Sequence, residues 1–295
     1  MSAMYRCYNC SRICLCKECF SRLHSDKTVH ESFQPISDSC ILDCKFKLVD
    51  KSTLIKDIKF LNNGLLVVAT NAQHKKILTC SISGMNKKFI PITGCAERIT
   101  VMEGNYVAVL LAEYGKVNIG IVDIQKGYVK KYIQDTKCSW NYRSAFIYIE
   151  NQFFISDFEK INVLDQSGKL KKQIPCSTPV DLCCDFDLLR IYFINELSSK
   201  MFFIDVEGNN TPKCTDHNLK DPKSITTYDK EYMLVLCLNE NALYNVIKVD
   251  YSGQSSETVI TNIRIPNCRP NICFTRLTNS LVMGLMGTVY IYKKE

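Results

Sequence analysis

Five of the chain's 17 cysteines and two of its four histidines lie within the stretch CYNCSRICLCKECFSRLHSDKTVH, positions 7–30. Their spacing is Cys7-x2-Cys10-x5-Cys16-x2-Cys19-x4-His24-x5-His30. A C-x2-C knuckle turns two thiolates to one side, each within reach of a Zn²⁺ ion at about 2.3 Å, and imidazole nitrogens complete a tetrahedron at about 2.0–2.1 Å. Two knuckles followed by a histidine pair therefore predict structural zinc. A thiol nucleophile is the competing chemistry. It needs one activated cysteine in a cleft, whereas this segment has five thiols between Cys7 and Cys19 and little apolar sequence to build a cleft. A segment this short cannot hold itself together by apolar burial, so it is expected to unfold without its metal.

Other residues invite weaker readings. Asp123, Asp165, Asp205 and Asp250 recur before glycines at a fixed place in a repeat, which marks them as turn formers rather than catalytic carboxylates. Cys183 and Cys184 in LCCDFD are expected to alternate across a strand as small hydrophobes. Trp140, the only tryptophan, lies in CSWNYRS with Tyr142 and Arg143, a grouping that suits a binding hot spot. His74 and His217 stand alone. No catalytic residue is identified, and no Gly-rich phosphate loop or triad signature is present.

The elements that must position these residues are strands. Period-2 runs rich in β-branched and aromatic residues dominate after the cluster, with turn residues between them. A strand followed by a turn of the form D-x2-G or close to it recurs: LTCSISG ending at Gly84, GIVDIQKG at Gly127, NVLDQSG at Gly168, FFIDVEG at Gly208 and IKVDYSG at Gly253. The steps between these glycines are 43, 41, 40 and 45 residues. Each motif follows an apolar strand such as GLLVVAT or RIYFIN and precedes a short polar one such as YVKKYI. Four strands per unit at this period predict the blade of a β-propeller. A sixth unit begins near Arg269 and stops before its outer strand. The segment 45–51 is expected to supply that strand and close a six-bladed ring, which removes exposed sheet edges. A β-sandwich with coincident turns is the alternative, and it gives no reason for the regular spacing. The expected organisation is thus a mostly β chain: a zinc finger over 1–34, a linker over 35–44, and a six-bladed propeller over 45–295.

Composition limits the function classes. The chain has 295 residues, 46% hydrophobic and 23% charged, which suits a globular protein. Residues 1–15 lack a basic end followed by an apolar run, and no apolar stretch approaches the roughly 18 residues of a membrane helix. An intracellular, cytoplasmic location with reduced thiols is expected, and the odd cysteine count argues against a complete disulfide framework. The net charge of +7 permits RNA or acidic partners without singling them out.

The cluster resembles the later part of a B-box zinc finger of tripartite-motif proteins, through CYNC, CKEC, FSRLH and His30. The resemblance implies that Cys7, Cys10, His24 and His30 share one zinc, and that Cys16 and Cys19 belong to a second. An earlier ligand pair is absent from Met1 to Arg6; Cys14, Cys40 or Cys44 could complete the second site. The repeat resembles, at the level of pattern, the NHL ring of the same family, through the P-x-x-φ blade starts at Pro179, Pro222 and Pro270 and the φ-x-φ-D-x-x-G turn. Neither a RING finger nor a coiled-coil heptad is present in the sequence. The resemblance therefore implies a non-enzymatic zinc-binding adaptor with protein partners, linked to ubiquitin ligase pathways. The alternatives are an RNA-binding ring, whose mark would be lysines and arginines gathered on one face, and a ubiquitin ligase whose RING lies outside this sequence. No membrane or small-molecule substrate is indicated.

Overall fold

The computed structural model describes residues 40–49, 53–70, 75–113, 116–134, 136, 138, 144–176, 179–185, 189–195, 197–207, 219–229, 231–252, 255–264 and 270–294, and the backbone of 5–7, 13–14, 33–35 and 210–214. Near the N-terminus, β1 (Tyr5–Cys7) pairs with both β2 (Ile13–Cys14) and β3 (Phe33–Pro35) in a three-stranded sheet of order β2-β1-β3. The metal-ligand side chains expected in this region lie outside the described residues.

The remaining strands build six four-stranded antiparallel sheets. Strand β4 (Cys40–Lys47) comes first in the chain but belongs to the last sheet. Blade 1 is β5 (Ile55–Phe60), β6 (Leu65–Thr70), β7 (Lys76–Ser81) and β8 (Lys88–Pro91). Blade 2 is β9 (Cys95–Val101), β10 (Tyr106–Glu113), β11 (Lys116–Asp123) and β12 (Tyr128–Ile133). Blade 3 is β13 (Phe146–Ile149), β14 (Gln152–Ser156), β15 (Lys160–Asp165) and β16 (Leu170–Pro175). Blade 4 is β17 (Pro179–Asp185), β18 (Arg190–Asn195), β19 (Lys200–Asp205) and β20 (Asn210–Cys214). Blade 5 is β21 (Pro222–Thr227), β22 (Tyr232–Leu238), β23 (Tyr244–Asp250) and β24 (Ser256–Ile263). Blade 6 is β25 (Asn271–Thr275), β26 (Ser280–Leu285) and β27 (Thr288–Lys294), completed by β4.

The six-bladed ring follows from which faces are apolar. Second strands such as LLVVAT and RIYFIN are buried along nearly their whole length. A strand buried on both faces reads as a continuous apolar run, and here its two faces serve two neighbouring blades. Leu66 and Val68 pack toward blade 6, while Val67 and Ala69 pack toward blade 2. Six apolar clusters result, one in each gap between adjacent blades. Burying each such Leu, Ile or Val is worth about 1.5–3 kcal/mol, so no blade is stable alone and closure is cooperative. Outer strands such as β12 and β16 are largely exposed and polar.

The ring is closed by β4 antiparallel to β27, with Thr288 opposite Lys47 and Lys294 opposite Cys40. The strand expected over 45–51 thus begins at Cys40 and ends at Lys47, taking Cys40–Cys44 from the segment expected as linker. The reason is ladder length: β27 has seven residues, and pairing them draws the partner back to Cys40. Beyond Lys47, the amides of Leu48 and Val49 both donate to the Gly287 carbonyl, at 2.7 and 3.2 Å, and turn the chain into blade 1. Cys40 packs with the apolar cluster between blades 5 and 6, and Cys44 with that between blades 6 and 1. The two thiols thus face different clusters.

The ten cysteines whose side chains are described form no disulfide. Among the described residues no helix is long and apolar enough to cross a membrane.

Candidate functional site

The inner strands β5, β9, β13, β17, β21 and β25 contact one another in order around the axis. Each has one edge paired within its blade and one edge facing the central channel. The amides on that free edge must find acceptors, and polar side chains of neighbouring inner strands supply them. Asp57 accepts the Ile58 amide through Oδ1 and the Ile99 amide of blade 2 through Oδ2, both at 2.8 Å. Asp181 repeats this arrangement: Oδ1 accepts Leu182 N at 3.0 Å, and Oδ2 accepts Ile225 N at 2.9 Å and Ser224 Oγ–H at 2.7 Å. Ser224 Oγ in turn accepts Ile272 N of blade 6 at 3.3 Å. Asn271 Nδ2 and Arg98 Nη1 both donate to the Lys56 carbonyl. Thr100 Oγ1 joins blades 2 and 3 by accepting Tyr148 N at 2.9 Å. At the corresponding place on blade 3 stands Ala145, which has no polar group. There Ser156 from β14 substitutes, accepting Ala145 N at 2.7 Å and donating to the Pro179 carbonyl at 3.2 Å. Every junction between blades is therefore fastened beside the channel.

Four inner strands carry a register shift near their start, passing over Lys56, Glu97, Val180 and Lys223. Such bulges re-aim side chains. Lys56 and Glu97 meet at 3.1 Å, and Lys223 meets Asp221 at 2.5 Å.

Lys59 carries its ammonium 3.2 Å from Asp57 Oδ1. Burial works against that charge, but Asp57, and Asp181 from the opposite blade, outweigh it and hold the pKa above the ordinary 10.5. The nearby thiols stay protonated: burial pushes Cys183 well above 9.0, and Cys273 up to about 12 with Lys59 pulling the other way. The Lys59 ammonium, thiols whose ionisation burial opposes, and carboxylates that accept backbone amides form an electrostatic fastening beside the channel.

Three of the recurring aspartates, Asp123, Asp165 and Asp250, close turns, as their sequence position suggests. Asp123 Oδ1 accepts Lys126 N at 2.9 Å, Asp165 Oδ1 accepts Ser167 N at 2.9 Å and Lys169 N at 3.1 Å, and Asp250 binds Ser252 and Ser255. Cys183 and Cys184 pack into the clusters on opposite sides of blade 4, and Cys184 is likewise pushed up to about 12 by burial. Trp140, Tyr142 and Arg143, between β12 and β13, lie outside the described residues, as do His74 and His217. Among the described residues no group of three or more His, Cys, Asp or Glu is placed to hold a metal ion.

Two features escaped sequence reasoning. The first is charge polarity. The third strands β7, β11, β15 and β19 begin with Lys76, Lys116, Lys160 and Lys200, while β11, β15, β19 and β23 end with Asp123, Asp165, Asp205 and Asp250. These strands run in the same direction across the ring, so the lysines lie on one face and the aspartates on the other. The second is a cavity of about 460 Å³ at the closure between blades 6 and 1, lined by Lys47, Leu48, Val49, Thr53, Thr70, Lys76, Leu78, Lys87 and Phe89. The recurrence of Lys at the start of four of the six third strands could have revealed the first. The second depends on which segment closes the ring.

No protein-family model matches the chain, and no curated protein matches its sequence. Solved structures resemble its fold. A structural-genomics protein of unknown function from Bacteroides thetaiotaomicron aligns over 88% of this chain and 73% of its own, with TM-score 0.65 and 14% identity. A streptogramin B lyase aligns over 89% of this chain and all of its own (100%), with TM-score 0.62 and 12% identity. A chain of a mitotic checkpoint complex aligns over 89% and 95%, with TM-score 0.60 and 9% identity. At such identities the likeness is one of fold: this chain folds as a six-bladed β-propeller.

Proposed function

We propose that the protein is a non-enzymatic, zinc-binding adaptor of tripartite-motif type, in which a B-box-like finger and an NHL-like propeller each present a protein-interaction surface and link a target to ubiquitin ligase pathways in the cytoplasm. The observation that carries this reading is the state of the channel. Asp57 and Asp181 each accept two backbone amides, and burial raises the pKa of the thiols beside Lys59. A ring so fastened offers rigid surfaces rather than a reaction centre, and propeller loops are well placed to carry recognition. The checkpoint-complex neighbour supports the use of such a ring within an assembly, although fold alone does not fix function.

The zinc part rests on donor chemistry. Cys7, Cys10, His24 and His30 form a Cys₂His₂ set, a regular structural-zinc combination. Cys7 pairs with Phe33 across β1 and β3, and His30 precedes Phe33 by three residues, which suits closure of one site. Cys16 and Cys19, with Cys14, are the donors available for a second. Elemental analysis of the purified chain tests this. One zinc per chain, lost in Cys7→Ser, is expected. A folded, reduced protein without zinc refutes the finger.

An RNA-binding ring is favoured by the lysine face, Lys76, Lys116, Lys160 and Lys200. It requires log affinity for single-stranded RNA to fall linearly with log salt.

A further inference from the structure

We infer that the cavity at the closure between blades 6 and 1 is a docking site for an acidic, partly apolar peptide segment of a protein partner. This inference rests on the adaptor reading and gives the partner a chemistry.

Among the described residues, the titratable groups that line the cavity are the lysines Lys47, Lys76 and Lys87. Its volume of about 460 Å³ falls within the usual range for ligand pockets, roughly 300–1,000 Å³. The floor is apolar and rigid, since Leu48 and Leu78 are 4% and 1% exposed and belong to the cluster between blades 6 and 1. The rim is aromatic: Phe89 is half exposed, and Lys76 Nζ sits 4.0 Å over its ring. Thr53 and Thr70 add two hydroxyls. Lys87 is fixed from behind, its Nζ donating to the carbonyls of Lys47 at 3.0 Å and Leu48 at 3.1 Å. Three cationic groups over an apolar floor select an anion attached to hydrocarbon. A glutamate or aspartate beside an aliphatic side chain meets both requirements. The charge is complementary, and the carboxylate replaces some of the hydration that the lysines lose on docking.

The observations favour a peptide over nucleic acid. The cavity offers lysines and no arginine fork for phosphate. Lys76 already occupies one face of Phe89, so that face is closed to base stacking. The position also matters. The walls come from β4 and its exit on one side and from β6, β7 and β8 on the other, so a docked segment bridges the two ends of the ring and should strengthen its closure.

The test uses the full chain and fluorescence anisotropy with two labelled probes, a 12-residue peptide of alternating Glu and Leu and a 12-nucleotide oligo(U). Lys76→Glu reverses one charge in the cavity. Lys169→Glu makes the same change on an exposed turn of the opposite face. Phe89→Ser is a second cavity variant at a half-exposed position. The expected result is saturable binding of the peptide, weakened at least tenfold by Lys76→Glu and by Phe89→Ser and less than twofold by Lys169→Glu. Equal weakening by Lys76→Glu and Lys169→Glu overturns the site in favour of diffuse charge attraction. Tighter binding of oligo(U), with the same sensitivity to Lys76→Glu, overturns it in favour of nucleic acid. No binding of either probe overturns the site. The adaptor reading fails separately, on the zinc measurement and on the absence of any protein partner.

Discussion

Gly127 and Gly168 occupy the same place in successive blades, with φ of +75° and +88°, yet alanine should have different effects at the two. In both cases an L side chain enters the left-handed region, at about 1 kcal/mol. At Gly127 nothing lies within 4 Å of the new Cβ. At Gly168 that Cβ falls on Ile133 Cγ2, a buried side chain of β12 on the preceding blade. Overpacking a rigid site adds about 1–3 kcal/mol. Gly127→Ala should therefore lose about 1 kcal/mol and Gly168→Ala about 3 kcal/mol. Taking about 3 °C per kcal/mol for a chain of this size, thermal midpoints should fall by roughly 3 °C and roughly 9 °C. Differential scanning calorimetry at pH 7 reads both. Removing the obstacle tests the cause: with Ile133→Ala as background, Gly168→Ala should lose only the conformational part. Equal losses at the two glycines, or no rescue by Ile133→Ala, would refute the argument that the repeat glycine is a contact point between blades. Gly84 stands in the same relation to Phe46 of the closing strand, which extends the rule to the junction of blades 6 and 1.

Alkaline pH should unfold the ring. Burial pushes Cys80 up to about 11 and Cys176, Cys184 and Cys273 up to about 12. In the unfolded chain these thiols ionise near 9.0, so stability present below pH 9 is lost as pH rises toward 11–12, at about 1.4 kcal/mol per pH unit for each group. Lys59 acts in the same direction, because its raised pKa keeps a proton in the fold that the unfolded chain releases near 10.5. Urea midpoints at pH 7, 9, 10 and 11 should be level to 9 and then drop steeply; a flat profile to pH 11 contradicts the burial. Truncation tests the closure. Removing residues 1–39 keeps β4 and should leave a monomer with its thermal midpoint within a few degrees, whereas removing 1–47 leaves β27 as an open edge and should aggregate on size exclusion. A monomeric, stable 48–295 chain would mean that β4 is dispensable.

The sequence by itself determined the repeat. Apolar runs such as LLVVAT and RIYFIN, spaced by turns at 40 to 45 residues, have two apolar faces each, and only neighbours on both sides can bury them. That requirement gives blades, and the chain's length gives six of them. The Asp–Gly turns were legible too, because the hydrogen bonds they make are local. The Cys and His spacing over 7–30 sets an expectation of zinc, and the side chains that would hold it lie outside the described residues. Other features depended on residues far apart in the chain. Asp57 and Asp181 look like ordinary polar interruptions in IKDIKF and VDLCCD until Ile99 and Ile225 are brought beside them. The start of the closing strand at Cys40 is set by the length of β27, more than 240 residues later in the sequence. The lysine-lined cavity likewise exists only because closure puts Lys47 beside Lys76 and Lys87. Turn chemistry and strand period act over a few residues and can be read from the chain. Charge complementarity and inter-blade packing act across a ring, and only its closure decides which residues meet.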